Sequence, residues 1–141
     1  MKICIGCDPN AAEAKRELIE FIGRAGLGEV TDLGSDDPVY AHVAFRAAKA
    51  VAAGEFDRGI LLCGTGIGMS IAANKVDGAY AALVSDVYSA RRAVLSNDAN
   101  ICCMGAFTTG SKTREMMAEA FLTSEFVPGC PSQPKVDAYK K

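Results

Sequence analysis

Ile60-Leu61-Leu62-Cys63-Gly64-Thr65-Gly66-Ile67-Gly68-Met69-Ser70 is an apolar run that breaks into a glycine-rich turn. Gly59 to Leu62 is short, lies between Asp57-Arg58 and Gly64, and predicts a buried parallel strand, whereas Met69 to Asn74 has helix-forming composition. The order is strand, loop, helix, with Cys63 at the carboxyl end of the strand. Gly64, Gly66 and Gly68 let the backbone take positive φ and let a ligand approach main-chain N–H groups at the start of the following helix, a place that favours negative charge.

Two familiar phosphate loops fit poorly. In a G-x-G-x-x-G dinucleotide fingerprint Met69 would occupy the third glycine position, although Asp86 lies near the distance expected of its ribose-binding acid. No Gly-Lys-Ser/Thr follows, which excludes a Walker loop. What remains is an anion-binding loop preceded by a thiol and containing a hydroxyl. Its plainer alternative is a tight turn with a buried structural cysteine, since free Cys is among the most buried residue types.

A chain of 141 residues, 50% hydrophobic and 23% charged with net charge −2, predicts one domain, residues 1–141, with one core and no nucleic-acid surface. Apolar runs fall short of the ~18 residues of a membrane span, and Met1-Lys2-Ile3 opens directly into a strand, so a cytoplasmic protein is expected. The six cysteines, Cys4, Cys7, Cys63, Cys102, Cys103 and Cys130, are expected to be mostly reduced core thiols. Cys4 and Cys7 form a C-x-x-C, but odd spacing along a strand sends the side chains to opposite faces, and no second pair completes a zinc site. No metal site is expected.

In chain order, Lys2 to Ile5 predicts a strand that Asp8-Pro9-Asn10 stops. A helix from Ala11 to Gly26 follows, with Asn10 as N-cap and Gly26 as its stop. Glu29 to Leu33 is a second strand. Val39 to Ala53 returns to helical spacing, with Val43, Ala44, Ala47, Ala48 and Val51 forming a stripe of small residues. Ala79 to Val84 and Ile101 to Met104 are further strands, each followed by a helix, Asp86 to Leu95 (capped by Ser85 or Asp86) and Ser111 to Leu122. The tail after Phe126, with Pro128, Pro131 and Pro134, is too proline-rich for a regular element until about Lys135, and from about residue 127 it is expected to cross a neighbouring surface.

Five strand-helix units imply an α/β fold, a Rossmann-like three-layer α/β/α sandwich with a five-stranded parallel sheet. Ligands then bind beyond the carboxyl ends of the strands, near a switch in strand order. Asp8-Pro9-Asn10, Cys63 to Gly68 and Gly105-Ala106-Phe107 are the candidate loops.

Gly6-Cys7-Asp8, the stretch Cys63 to Lys75 and Ser96-Asn97-Asp98-Ala99-Asn100 resemble the type B ribose-5-phosphate isomerase and galactose-6-phosphate isomerase family over nearly the whole chain. The resemblance implies aldose–ketose isomerisation of a sugar phosphate through an enediolate, without metal or cofactor, in homodimers or homotetramers with sites between subunits. Cys63 matches a thiolate base, Thr65 a hydroxyl that steadies the reacting oxygens, Asp8 a carboxylate beside the sugar hydroxyls, and the N–H groups of Gly64, Gly66, Ile67 and Gly68 an anion hole. Asn97 matches a polar residue of the site. Asn10 and Tyr40 are added because they lie in or just after loops at that edge. Asp8 as a helix cap, Thr65 as a loop-backbone partner and Asn97 as a turn former remain open alternatives.

This chain also departs from the family. Pro9 and Ser96 stand where the family has histidines, the second of which helps ring opening. Phe107 and Pro131 replace basic residues that commonly hold the phosphate, and Lys135 stands where arginine is usual. Arg91, Arg92 and Lys135 are the nearest substitutes by position, with a solvated helix face as the alternative for the arginines. His42 matches no catalytic position and is expected at the surface or an interface. Three readings follow: an isomerase of a short or open-chain sugar phosphate such as a four-carbon ketose phosphate, a pentose or hexose phosphate isomerase needing a paralogous partner chain, or a non-catalytic ligand-binding subunit. The helix-two stripe, the tail and the family's shared sites together suggest at least a dimer.

Overall fold

The computed structural model describes residues 1–140. Its elements are β1 (Lys2–Cys7), a 3₁₀ turn (Pro9–Ala11), α1 (Ala12–Arg24), β2 (Glu29–Asp32), α2 (Tyr40–Ala52), β3 (Arg58–Cys63), α3 (Ile67–Ala73), β4 (Ala81–Leu83), α4 (Val87–Leu95), β5 (Ile101–Gly105), α5 (Ser111–Thr123) and α6 (Gln133–Tyr139). The strands form one five-stranded sheet in the order β2-β1-β3-β5-β4, every pair parallel. The expected Rossmann-like α/β/α sandwich is therefore the fold.

Alternation along the strands divides the core. Ile3, Ile5, Ile60, Leu62, Cys102 and Met104 pack with α1, α4 and α5 on one face. Cys4, Leu61, Cys63, Ile101 and Cys103 pack with α2 and α3 on the other. Residues buried on both faces make β1, β3 and β5 read as unbroken apolar runs. Cys4 and Cys7 fall in opposite clusters, as their odd spacing requires.

Several boundaries differ from those the sequence suggests, each for a local reason. Asn10 does not cap the first helix. Pro9 opens a 3₁₀ turn headed by Asp8, and α1 begins only at Ala12, with Ala11 before it. Proline suits that first position because its missing N–H would be unpaired there anyway. Gly26 ends α1 as expected, at φ 64°. Asp86 rather than Ser85 caps α4, accepting the Ser89 N–H at 2.7 Å, which accounts for that acid without a ribose. The fourth strand shrinks to Ala81–Leu83.

The tail holds a regular helix from Gln133, two residues earlier than expected, because Pro134 falls in the first turn where no N–H is needed. This α6 packs on its own chain. Val136 is buried, the Tyr139 hydroxyl donates to the Asn97 carbonyl at 2.6 Å, and Lys140 pairs with Asp98 at 2.6 Å.

The small-residue stripe of α2 needs a correction. Val43, Ala44, Ala47 and Ala48 are fully buried within the chain, where α2 lies against β1, β3 and α3. Small side chains here permit close helix–sheet approach. A Cβ on Gly6 would stand 2.5 Å from Val43 Cγ1. The stripe is core, and it offers no surface to a second copy.

Phe121 is the largest fully buried side chain, and the Arg58 guanidinium lies 5.2 Å from its ring centre while also donating to the carbonyls of Phe121 and Ser124. We expect Phe121→Ala to lower unfolding free energy by about 3–5 kcal/mol, through lost transfer energy and an unfilled cavity. Urea unfolding followed by circular dichroism measures it. A loss below about 1 kcal/mol would mean that the α5 face can collapse around the gap.

Candidate active site

The strand order reverses between β1 and β3, because β2 lies on one side of β1 and all later strands on the other. Asp8 leaves β1 and Cys63 leaves β3 at that switch, the place where an open parallel sheet binds ligands. Cys7 pairs with Leu62, and the Asp8 N–H donates to the Leu62 carbonyl at 3.3 Å, so Asp8 arrives beside the strand end that carries Cys63.

The loop after β3 is tied to the loop after β5. Cys63 pairs with Gly105, the Ala106 N–H donates to the Cys63 carbonyl at 2.9 Å, and the Phe107 N–H donates to the Gly64 carbonyl at 2.9 Å. Gly66 holds φ 80°, and a Cβ there would lie 2.8 Å from Leu83 Cδ1 and 2.9 Å from the Met104 carbonyl carbon, so only glycine fits. A Cβ on Gly68 would collide with the Tyr40 ring, whose edge covers the backbone at the start of α3. Met69, in the third glycine position of a dinucleotide fingerprint, is fully buried.

Cys63 differs from the other core thiols. Burial pushes Cys4 and Cys7 up to about 11 and Cys102 up to about 12, so these stay protonated at neutral pH. Burial also raises Cys103 well above the ordinary thiol value. The Cys63 sulfur, at the strand end, receives the Gly66 N–H at 3.1 Å. All six cysteines are free.

Asp8 is 7% exposed, yet its side chain makes no capping hydrogen bond, and Oδ1 is buried without a partner. The capping alternative is thereby removed. A buried carboxylate oxygen left unpaired is costly, which marks it as a group awaiting a donor. Thr65 is exposed at the loop tip and its Oγ1 accepts the Ile67 N–H at 3.2 Å, so it does serve loop backbone while remaining open to solvent.

Asn10, in the 3₁₀ turn beside Asp8, and Tyr40, against Gly68, both flank this end of the sheet. Asn97 lies in the turn after α4, before Asp98 at φ 51°, with its carbonyl held by Tyr139. Arg91 is not brought to the glycine loop. It sits between α4 and α5 with Met116 and Glu119, one helical step round from Arg92, which turns the other way to bond Ser96. Lys135 stands exposed on the first turn of α6 with no ion-pair partner among the described residues. His42 is at the surface, 2.9 Å from Asp37.

Sequence reasoning missed the wall of the site. Phe107 lies against Gly64, where a Cβ would approach its ring to 3.0 Å, and Leu83 closes over Gly66. Both are exposed apolar residues; Phe107 was already in the candidate loop after β5, whereas Leu83 was read only as part of a strand. Among the described residues no three of His, Cys, Asp and Glu gather as metal ligands, and no helix is long and apolar enough to cross a membrane.

The sequence profile described as Ribose/Galactose Isomerase matches residues 3–139. Ribose-5-P isomerase B of Listeria innocua is 45% identical over 140 residues, covering 97% of this chain and 93% of that protein. D-erythrulose-4-phosphate isomerase of Pectobacterium atrosepticum is 43% identical over 141 residues, covering 97% and 91%. The structure of ribose-5-phosphate isomerase B from Clostridium thermocellum superposes with a TM-score of 0.92 at 38% identity, covering 99% of this chain and 95% of that one. The thiol, glycine loop and carboxylate at the switch point thus sit in a chain that belongs to the ribose/galactose isomerase family.

Proposed function

We propose that this aldose–ketose isomerase acts in the cytoplasm on a four-carbon sugar phosphate, through an enediolate formed by Cys63 without a metal. The observation that carries the reading is the unpartnered buried Oδ1 of Asp8 beside the strand end where the Cys63 sulfur accepts the Gly66 N–H. A thiolate at Cys63 takes a proton from C1 of the ketose, leaving an enediolate across C1 and C2. The same thiol returns the proton to C2, while the O1 hydroxyl proton passes to O2, steadied by the exposed Thr65 hydroxyl. The N–H groups of Gly64, Gly68 and, once released from Thr65 Oγ1, Ile67 hold the developing oxyanion, while that of Gly66 stays on the Cys63 sulfur, and Asp8 accepts a sugar hydroxyl. Asn10, Tyr40 and Asn97 line the approach.

Chain length follows from what is missing. A tetrose carrying phosphate on O4 has no hydroxyl far enough along the chain to close a furanose ring, so its carbonyl needs no acid to open it. Pro9 and Ser96 cannot supply imidazole chemistry, and a relative 43% identical acts on D-erythrulose-4-phosphate. Free thiols throughout suit a reducing compartment. A pentose or hexose phosphate handled with a paralogous partner chain is the second reading.

The reading is tested by solvent-deuterium exchange at C1 and C2 across four-, five- and six-carbon aldose and ketose phosphates. Fastest exchange is expected for the four-carbon pair. Preference for a longer sugar would overturn the chain length alone, and no exchange with any would overturn the activity. Cys63→Ala and Cys63→Ser should each lower exchange about 10²–10⁴-fold, the usual worth of a positioned base. In a Cys130→Ala background, alkylation of Cys63 should track loss of activity and be slowed by substrate. Wild-type rates in the alanine variant would transfer the base role to Asp8.

A second copy is expected to cover the site. Val39, Tyr40, Ile67, Ile71, Leu83 and Phe107 are all exposed, and Tyr40, Leu83 and Phe107 each contact the glycine loop, so apolar surface surrounds its mouth. Light scattering at micromolar concentration should find a homodimer or homotetramer. An active monomer would contradict this.

A further inference from the structure

A cavity of about 470 Å³ opens along β4, one of the two edge strands of the sheet, between the end of α3, α4 and α6. It adjoins the glycine loop. Leu83, which lines it, is the residue whose Cδ1 would meet a Cβ on Gly66. Such a volume holds a phosphoryl group together with a short carbon chain.

The cavity's cation is Arg92. Its Nε donates to Ser96 Oγ at 2.7 Å, which fixes the guanidinium plane, and neither Nη has an acid or carbonyl partner among the described residues. The acids near the lining are engaged elsewhere. Asp86 accepts from the Ser89 N–H and Oγ, and Asp98 accepts from Lys140. Lys140, whose charge Asp98 balances, lies 4.6 Å over the ring of Tyr80, another lining residue, so that end is close to neutral and Arg92 is the cavity's net charge. The Ser96 hydroxyl, accepting from Arg92, keeps its own proton to donate. The Asn97 side chain is exposed and uncommitted, on a turn that Tyr139 holds by its carbonyl. Asn74 is not available, since its amide is spent on both the N–H and the C=O of Ala81.

A planar guanidinium held by its Nε, with the edge formed by its two Nη groups free, is the geometry that grips a tetrahedral oxyanion at two oxygens. We propose that Arg92, with Ser96 Oγ and the Asn97 amide, forms a phosphate-binding subsite for a phosphate monoester. It takes up the charge that Phe107 and Pro131 cannot meet. The carbonyl end of α4 lies here and by itself repels an anion, so binding depends on the Arg92 charge rather than on backbone donors. The identity of the anion as substrate phosphate rests on the isomerase reading, whereas the binding of a phosphate dianion does not.

The experiment measures inorganic phosphate affinity by titration calorimetry on the full-length protein as purified, and KM for the best sugar phosphate, in wild type, Arg92→Gln, Arg92→Lys and Cys63→Ala. Arg92→Gln should weaken phosphate binding and raise KM by about ten- to a hundredfold, the worth of a charge-assisted contact. Arg92→Lys, keeping the charge without the fork, should recover part of the loss, which controls for folding together with an unchanged melting temperature. Cys63→Ala should bind phosphate as wild type does, so failure of the chemistry and failure of the subsite are read separately. Competition between phosphate and the sugar substrate identifies the subsite with the substrate's own phosphate; non-competitive inhibition that still vanishes in Arg92→Gln identifies a free-phosphate effector at the same residues. Phosphate binding that is absent in wild type, or equal in wild type and Arg92→Gln, overturns the proposal.

Discussion

The central position of β3 is the constraint on which the rest of the structure depends. Both of its edges are hydrogen-bonded, to β1 and to β5, and both of its faces are covered by helices. A strand so enclosed must be apolar along its whole length and can become polar only where it ends. Cys63 is that end, and its neighbours are set by the pairings on either side: Asp8 through β1, and Gly105 with Ala106 through β5. The site is therefore a consequence of sheet register. A slip of one residue in either pairing would exchange the faces of Leu62 and Cys63 and take the thiol away from the glycine loop.

That enclosure also explains how one chain can carry six thiols and give only one of them a special setting. Cys4, Cys102 and Cys103 lie within strands and are fully buried, and burial raises their thiols. At Cys63 the ladder stops. The left-handed turn at Gly66 frees its N–H to reach back three residues to the sulfur. The apolar crowding of Leu83, Tyr40 and Phe107 around the same glycines limits the bare backbone to a narrow opening.

The departures from the family pattern fall where the resemblance places charge and ring chemistry, while Cys63, Thr65 and Asp8 match that pattern. The substrate proposed above, a sugar that cannot cyclise, would need no imidazole at Pro9 or Ser96. The turn that follows α4 is instead stiffened from a distance, through Tyr139 on Asn97 and Lys140 on Asp98. The proline-rich tail acts as a brace for a loop more than forty residues earlier in the chain.

Much of this was legible in the sequence because its causes are local. Two-faced burial makes each central strand a continuous apolar run, helical periodicity marks what lies between, and Gly66 is required by a backbone angle that its own position dictates. The glycine loop and its thiol could be found from a window of about a dozen residues. The small residues of α2 were equally visible, but whether they faced the sheet or a partner was not, since a stripe of alanines suits either, and they proved to be core. Arg91 and Arg92 are neighbours in sequence and point to different grooves, because one step along a helix turns a side chain by about 100°. The orphaned oxygen of Asp8, the Ser96 hinge of Arg92 and the grip of Tyr139 on Asn97 belong to the tertiary structure alone. Each depends on which segments the chain brings together, and no spacing or composition records that.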